Sequence, residues 1–340
     1  MLVNLLEEIL LYKSVADVAK ELNLAKGTVV RWRGLKSVPT AYQFDLMKIA
    51  GKSINYSKFS YKQKNQFFTP LETAKYCYQV FLNKIQELEI EEKEFHYIEP
   101  SAGSGSFLVA LPKDRTYAMD VEPKSSAICK QDYLCWTPVE EKKYVVFGNP
   151  PFGLRGHLAL KFINHSYKFA DFVCFILPQL FESDGKGVPR KRVEGFNLIH
   201  SEKIDSTFYS PEEKAMNINV VFQIWSKEYM NDEYFIRNDS VDWLKVYSLS
   251  DGGTPSSTRN KDMIDSCDVY LPSTCFGKEN MRCYSSFEDL PGRKGYGIVF
   301  KENKDKSLQK AKSIDWSSVA FLSTNSAYNL RTSKILEVFS

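Results

Sequence analysis

Four short runs gather residue types that can hold a small cofactor or a planar base. In Glu99-Pro-Ser-Ala-Gly-Ser-Gly-Ser-Phe107 an acid precedes Gly103 and Gly105. Glycines let a backbone turn tightly and approach a ligand with no Cβ in the way, and the acid can hold a cationic or hydroxylated group. The run lacks the Lys-Ser/Thr ending of a phosphate loop and the GxGxxG spacing of dinucleotide enzymes, which counts against triphosphate and NAD chemistry. In Ala-Met-Asp120-Val-Glu122-Pro a carboxylate follows at about 20 residues, where it can accept hydrogen bonds from a ribose diol. Asp120 or Glu122 could serve, and the spacing favours Asp120. Gln131-Asp132-Tyr133 offers an acceptor and an aromatic ring suited to adenine and its amine. The fourth run is Gly148-Asn149-Pro150-Pro151-Phe152. Its two prolines stiffen the chain and carry no amide hydrogen. The Asn149 oxygen and the Pro150 carbonyl could therefore grip both hydrogens of one amino group, while Phe152 supplies a face for a ring.

Each run alone also fits an ordinary turn, and what sets them apart is the elements that must carry them. Phe95 to Ile98, Tyr117 to Val121, Tyr144 to Phe147, Asp171 to Leu177 and Val220 to Trp225 are short β-branched or aromatic runs that read as strands. Helical stretches such as Leu71 to Ile85 and His157 to Phe169 separate several of them. This alternation predicts an α/β fold with a mostly parallel sheet covered on both faces. Ligands of such sheets sit outside the carboxyl ends of the strands, where the four runs fall.

In this order the runs resemble a family, the S-adenosylmethionine-dependent amino-methyltransferases, and among them the N6-adenine DNA methyltransferases. The resemblance extends from Phe67-Phe68-Thr69-Pro70 through the glycine loop, Asp120, Asp132 and the Asn-Pro-Pro-Phe quartet to Asp171-Phe-Val-Cys-Phe-Ile-Leu-Pro178, about half of the chain. The order is similar to the family's γ arrangement, in which the catalytic part precedes a carboxyl-terminal target-recognition domain. The resemblance implies a Rossmann-like methyltransferase fold. It implies that Thr69, Glu99, Ser101 and Gly103 contact the methionine part of S-adenosylmethionine, Asp120 the ribose and Asp132 the adenine amine. Asn149, Pro150 and Phe152 would take a flipped target base, with Phe181 or Tyr209 over its other face. Many relatives end the quartet in Tyr, and Phe152 keeps the stacking while losing a hydroxyl. Cytosine C5 methylation would need a Pro-Cys pair, which the sequence does not contain.

The amino-terminal run Ser14 to Arg33 resembles a helix-turn-helix, with Ala19 where helices cross, Val29 and Trp32 facing a core, and Asn23 at the turn. Lys26, Thr28, Arg31 and Arg33 would lie on or beside the second helix, facing DNA. A plain three-helix scaffold is the competing reading. A second basic run, Lys186-Gly-Val-Pro-Arg190-Lys191-Arg192, follows a strand end and could contact phosphates. The expected domains are residues 1–55, an all-α helix-turn-helix; 56–235, the methyltransferase; and 236–340, target recognition. The segment Asp251-Gly-Gly-Thr-Pro-Ser-Ser-Thr258 reads as a loop or linker. Gly292-Arg-Lys-Gly-Tyr-Gly and Thr324 to Arg331 combine polar, basic and aromatic groups suited to bases and phosphates, and equally to ordinary loops.

Composition sets the outer limits. The chain has 340 residues with 43% hydrophobic and 26% charged residues, a mixture that folds into about two domains. The net charge of +3 leaves any attraction to DNA to local patches. Seven cysteines without a CxxC pair, and four scattered histidines, point to reduced thiols and to no metal site. The first residues lack a basic leader, and the apolar run Phe172 to Leu177 is far short of the roughly 20 residues a membrane span needs. The expected setting is a cytoplasmic or other DNA-containing compartment, with double-stranded DNA as partner, no membrane, and a cognate restriction endonuclease as a further partner. The oligomeric state is not set by the sequence. A rival enzyme reading is methylation of RNA or of a protein glutamine. From another class, a DNA-binding regulator with an idle methyltransferase fold would need neither the glycine loop nor the quartet.

Overall fold

A computed structural model describes residues 2–64, 66–183, 188–235, 241–253, 257–323 and 326–340. The chain opens with four helices, α1 (Leu2–Leu10), α2 (Val15–Glu21), α3 (Lys26–Gly34) and α4 (Gln43–Ile49). Ser14 starts α2 through a reciprocal cap: its hydroxyl accepts from the Asp17 N–H at 3.1 Å, and the Asp17 carboxylate accepts from the Ser14 N–H. Asn23 breaks the chain between α2 and α3 at φ 53°, a left-handed conformation that Asn tolerates. Leu6, Val18, Ala19, Leu22, Val29, Trp32 and Leu46 close a shared core.

After the short helix α5 (Tyr61–Lys64) comes α6 (Leu71–Glu87), whose Ala74, Cys77, Phe81 and Ile85 recur at helical spacing and are buried. There follow β1 (Phe95–Glu99), α7 (Ser106–Ala110), β2 (Thr116–Asp120), β3 (Cys129–Lys130), β4 (Lys143–Gly148), α8 (His157–Ser166), β5 (Phe172–Pro178), β6 (Asn197–Ile204), the hairpin β7 (Thr207–Tyr209) and β8 (Ala215–Asn217), and β9 (Val220–Ser226). Seven strands form one sheet in the order β3-β2-β1-β4-β5-β9-β6. The pairs β2–β3, β1–β2, β1–β4 and β4–β5 are parallel. All seven residues of β5 are buried, as expected of a strand covered on both faces. The chain runs outward from β1 to β3 and returns to lay β4 on the other flank of β1. The crevice beyond the carboxyl ends of β1 and β4 is therefore the switch point where an open α/β sheet takes its ligand. The α/β class with a large, mostly parallel sheet is what the sequence pattern implied.

The chain divides into two compact units, residues 1–177 with 193–218 and 222–231, and residues 178–192 with 219–221 and 232–340. The four amino-terminal helices thus belong to the same unit as most of the large sheet, while the stretch directly after β5 belongs with the carboxyl-terminal part. The second unit holds β10 (Leu244–Ser250), β11 (Val269–Pro272), β12 (Thr274–Phe276), β13 (Lys294–Phe300), α9 (Lys304–Ser313), α10 (Trp316–Val319), β14 (Phe321–Leu322), β15 (Ala327–Asn329) and α11 (Thr332–Phe339). Two antiparallel three-stranded sheets, β10-β13-β11 and β12-β15-β14, pack with the helices around Leu271, Ile298, Trp316 and Phe339.

The second unit corrects two readings. Gly295-Tyr-Gly is not a loop but part of the central strand β13, where a Cβ on Gly295 would stand 2.2 Å from the Leu271 carbonyl oxygen. Tyr296 is buried and donates its hydroxyl to the Leu330 carbonyl at 3.1 Å. Residues 327–329 of the other expected loop form β15, and Thr324 and Asn325 lie outside the described residues, as do Thr254, Pro255 and Ser256 of the expected linker.

Candidate active site

β1 and β4 deliver their loops side by side. The Ser101 hydroxyl donates to the Asn149 carbonyl at 3.3 Å, which ties the glycine loop to the quartet. Above this junction opens a cleft that is partly open to solvent. Ser101, Gly103, Asp120, Asp132, Asn149 and Pro151 line it. Gly103 takes φ 51°, and a Cβ there would press on the Phe68 ring at 3.2 Å. Glycine allows both the turn and the close ring without strain.

The quartet is held in a defined pose. The Asn149 side-chain amide donates to the Thr69 hydroxyl at 3.2 Å, and the Ser106 hydroxyl donates to the Thr69 carbonyl at 2.6 Å. With its amide nitrogen donating to Thr69, the Asn149 side chain still carries its oxygen as an acceptor. Pro150 is buried and Phe152 is half-buried. The Phe152 carbonyl accepts from the N–H groups of Leu158 and Ala159, which starts α8 directly behind the loop. The loop reaches α8 through Gly153 at φ 67°, where a Cβ would lie 2.5 Å from the His157 ring.

The acids behave differently from one another. Asp120 accepts the Gly103 N–H at 2.9 Å on one oxygen and the Glu122 N–H at 2.8 Å on the other, fixing the glycine loop while keeping lone pairs for a ligand. Glu122 instead pairs with Lys64 at 2.6 Å. Glu99 is 2% exposed, and its Oε2 has no hydrogen-bond partner. Burial pushes its carboxyl well above the usual range, against a backbone hydrogen bond from Leu108 and with the Asp120 charge adding to the rise. It lies just beneath the wall of the cleft, not on it. The Gln66 Oε1 on the wall is likewise buried without a partner.

One wall was not legible in the sequence. Phe44, Asp45 and Lys48 of α4, with Tyr56, line the same cleft. Asp45 is buried and accepts from Lys161 at 2.6 Å, with His157 Nε2 at 3.1 Å. Burial alone would raise its pKa, but the His157 bond and the Lys161 charge outweigh it and hold the carboxyl at about 2. His157 Nδ1 faces the Leu154 carbonyl at 3.2 Å, so the same ring touches α4 and the loop after the quartet. Lys48 reaches Asp132 at 2.5 Å, while the other Asp132 oxygen accepts the Leu134 N–H. Single side chains separated by more than 80 residues carry no periodic signal, which is why sequence reasoning missed them.

Other expected residues fall elsewhere. Phe181 is fully buried in the second unit and offers no face to a base, a correction that follows from its packing. Tyr209 is 41% exposed and pairs through its backbone with Phe68, which lines the cleft. Arg190 is also corrected: its guanidinium donates to the carbonyls of Glu182, at 3.2 Å, and Tyr234, and so ties the turn together instead of facing phosphate. Lys191 is exposed, Arg192 half-buried, and Lys186 lies outside the described residues. On α3, Lys26 and Arg31 are exposed and Thr28 half-buried, whereas Arg33 makes a bidentate pair with Glu7 at 2.8 and 3.1 Å. Among the described residues no cluster of His, Cys, Asp and Glu could hold a metal, and no helix is long and apolar enough to cross a membrane.

No family model matches the chain, and no curated protein is similar to it in sequence. Solved structures overlap in part. A candidate RNA methyltransferase from Pyrococcus horikoshii is 20% identical, with 48% of this chain and 86% of that one covered and a TM-score of 0.36. The modification subunit of a candidate type I restriction enzyme from Vibrio vulnificus is 11% identical over 71% of this chain and 60% of that one, with a TM-score of 0.34. A candidate methylase from Haemophilus influenzae is 14% identical over 46% and 99%, with a TM-score of 0.30. Likeness at this level assigns no activity, and the functional reading rests on topology and site chemistry.

Proposed function

We propose that the protein is an S-adenosylmethionine-dependent methyltransferase that modifies adenine N6 in double-stranded DNA. The observation that carries this reading is the Asn149 amide, pinned through its nitrogen to Thr69 at the switch point with its oxygen left to accept. The residues also fit the cofactor: the orphan Glu99 oxygen suits an ammonium, Asp120 retains lone pairs for a diol, and Gly103 clears the approach. When bound, the cofactor supplies an activated methyl group on a sulfonium.

An adenine amine is a poor nucleophile because its lone pair is delocalised into the ring. Asn149 and the Pro150 carbonyl, accepting its two hydrogens off the ring plane, would favour a tetrahedral nitrogen with its lone pair directed at the methyl group, an effect of orientation and preorganised electrostatics. No base is required beforehand, since the proton becomes acidic only after transfer. The base must leave the duplex, and Phe152 would stack on it for about 1 to 3 kcal/mol. The amino-terminal helices, through Lys26 and Arg31, and the second unit would contact DNA, and a restriction endonuclease could share the recognised sequence. Incubation with tritiated S-adenosylmethionine and DNA, RNA or protein extract, followed by nucleoside analysis, tests the reading. Label in N6-methyladenine of DNA is the expected result, and label confined to RNA or glutamine would replace it.

A further inference from the structure

We propose that α4 of the amino-terminal helices is a working wall of the cofactor site, with Lys48 standing in for the cofactor's adenine amine on Asp132; this rests on the methyltransferase reading. Two observations on α4 lead to it. The first is the anchor. Asp45, Lys161 and His157 join α4 to α8 through a buried cluster, and His157 also touches the backbone after the quartet, so α4 is fixed to the active-site loop itself. Removing such a charge from water is costly, and here the cost is offset by Lys161 and His157 of α8, so the carboxylate is stable only with α4 docked there.

The second is what the anchor presents to the cleft. Phe44 and Tyr56, with ring centroids 5.4 Å apart, give it an aromatic edge on the side of Asp132, Tyr133 and Leu134. Between these groups the Lys48 ammonium lies on Asp132 Oδ2 at 2.5 Å. The other Asp132 oxygen is already held by the Leu134 N–H. An amine and an ammonium are both donors, so an adenine amine arriving at Asp132 must compete with Lys48. The ion pair is partly exposed, 36% for Lys48 and 24% for Asp132, so it can open without disturbing the anchor. The helices that precede the catalytic core therefore complete the adenosine end of the pocket, and cofactor occupancy and the pose of these helices are linked in both directions.

The two parts of the wall should respond with opposite sign. S-adenosylhomocysteine, which cannot react, is titrated by calorimetry into the full chain. Phe44→Ala should weaken binding about tenfold, as loss of an aromatic face against a base does. Lys48→Met, which keeps the stem and removes the charge, should tighten it about two- to fivefold, the value of one exposed ion pair. Amide exchange across residues 43–58 should slow when the ligand is added. If Phe44→Ala proves unfolded, Lys48→Met and the exchange measurement carry the test alone. Ligand binding by the wild type, with both variants unchanged and the segment unprotected, overturns this inference and leaves the methyltransferase reading intact. No binding by the wild type overturns both.

Discussion

Both units pair most of their buried polar groups, and the difference lies in the few that stay unpaired. In the second, such groups find partners at once: Trp316 donates its indole N–H to the Ala311 carbonyl at 2.8 Å, Tyr270 its hydroxyl to Ile264, and Tyr296 its hydroxyl to Leu330. In the first, the Glu99 Oε2 and Gln66 Oε1 atoms beside the cleft are buried with none, as are Glu202 Oε1 on β6 and Trp225 Nε1 on β9. An unsatisfied buried acceptor costs about 1 to 3 kcal/mol, more for a charged group. The Gln66 oxygen lines the cleft and the Glu99 oxygen lies behind it, where a ligand could supply donors; the atoms on β6 and β9 are not part of that lining.

The largest test of this contrast is Asp45→Asn. It strands the Lys161 charge and should lower the stability of the first unit by about 3 to 5 kcal/mol, read as a fall in Tm by calorimetry. The Asp45 carboxyl is held below its ordinary 3.8, at about 2, so its contribution is complete above 3.8 and fades as pH falls through 2. An unchanged Tm at pH 7 would mean that the cluster anchors nothing.

Asn149→Ala should reduce turnover by roughly 10²- to 10³-fold, the scale for losing one preorganised hydrogen-bonding group, with cofactor affinity nearly intact. Calorimetry and a methylation assay on one preparation measure both, and substantial residual activity would remove Asn149 from the chemistry. Asp120→Ala should weaken cofactor binding by about 1.5 to 3 kcal/mol, and Glu122→Ala, whose partner is Lys64, by much less. The reverse order would move the ribose site two residues along the chain.

The last pair addresses the contrast itself. Trp316→Phe removes the indole donor and leaves the Ala311 carbonyl only the weaker Cys283 thiol, and should destabilise the protein by about 0.5 to 1.5 kcal/mol at every pH. Glu99→Gln should do the opposite in the absence of ligand. The Glu99 pKa is raised in the folded state, so wild-type stability is retained below the ordinary carboxylate range and lost as pH rises beyond it. The variant should melt with the wild type in acid and above it at neutral pH, while binding S-adenosylmethionine less well. Equal melting curves at pH 7 would show that Glu99 is satisfied after all.

Much of the first unit was legible because its signals are local. β1, β2, β4, β5 and β9 coincide with the apolar runs to within a residue or two, since a strand buried on both faces must be apolar throughout. β3, of two residues, and the polar β6 escaped notice because an edge or half-exposed strand has no such requirement. The second unit was read least well: Gly295 and Gly297 suggest a turn from composition, but sit in β13 because Leu271 and Cys267 leave no room for a Cβ.

The sequence by itself determined the strand-and-loop alternation and the cleft residues from Ser101 to Asn149, because backbone stiffness, glycine freedom and apolar runs act over a few neighbouring residues. Only the tertiary structure decided that Phe181 and Arg190 are packing groups, that one Glu99 oxygen is left without a partner, and that α4 lines the cleft. Burial, hydrogen-bond saturation and ion pairing depend on which distant segments meet, and the 84 positions between Lys48 and Asp132 leave no trace of that meeting in the order of residues.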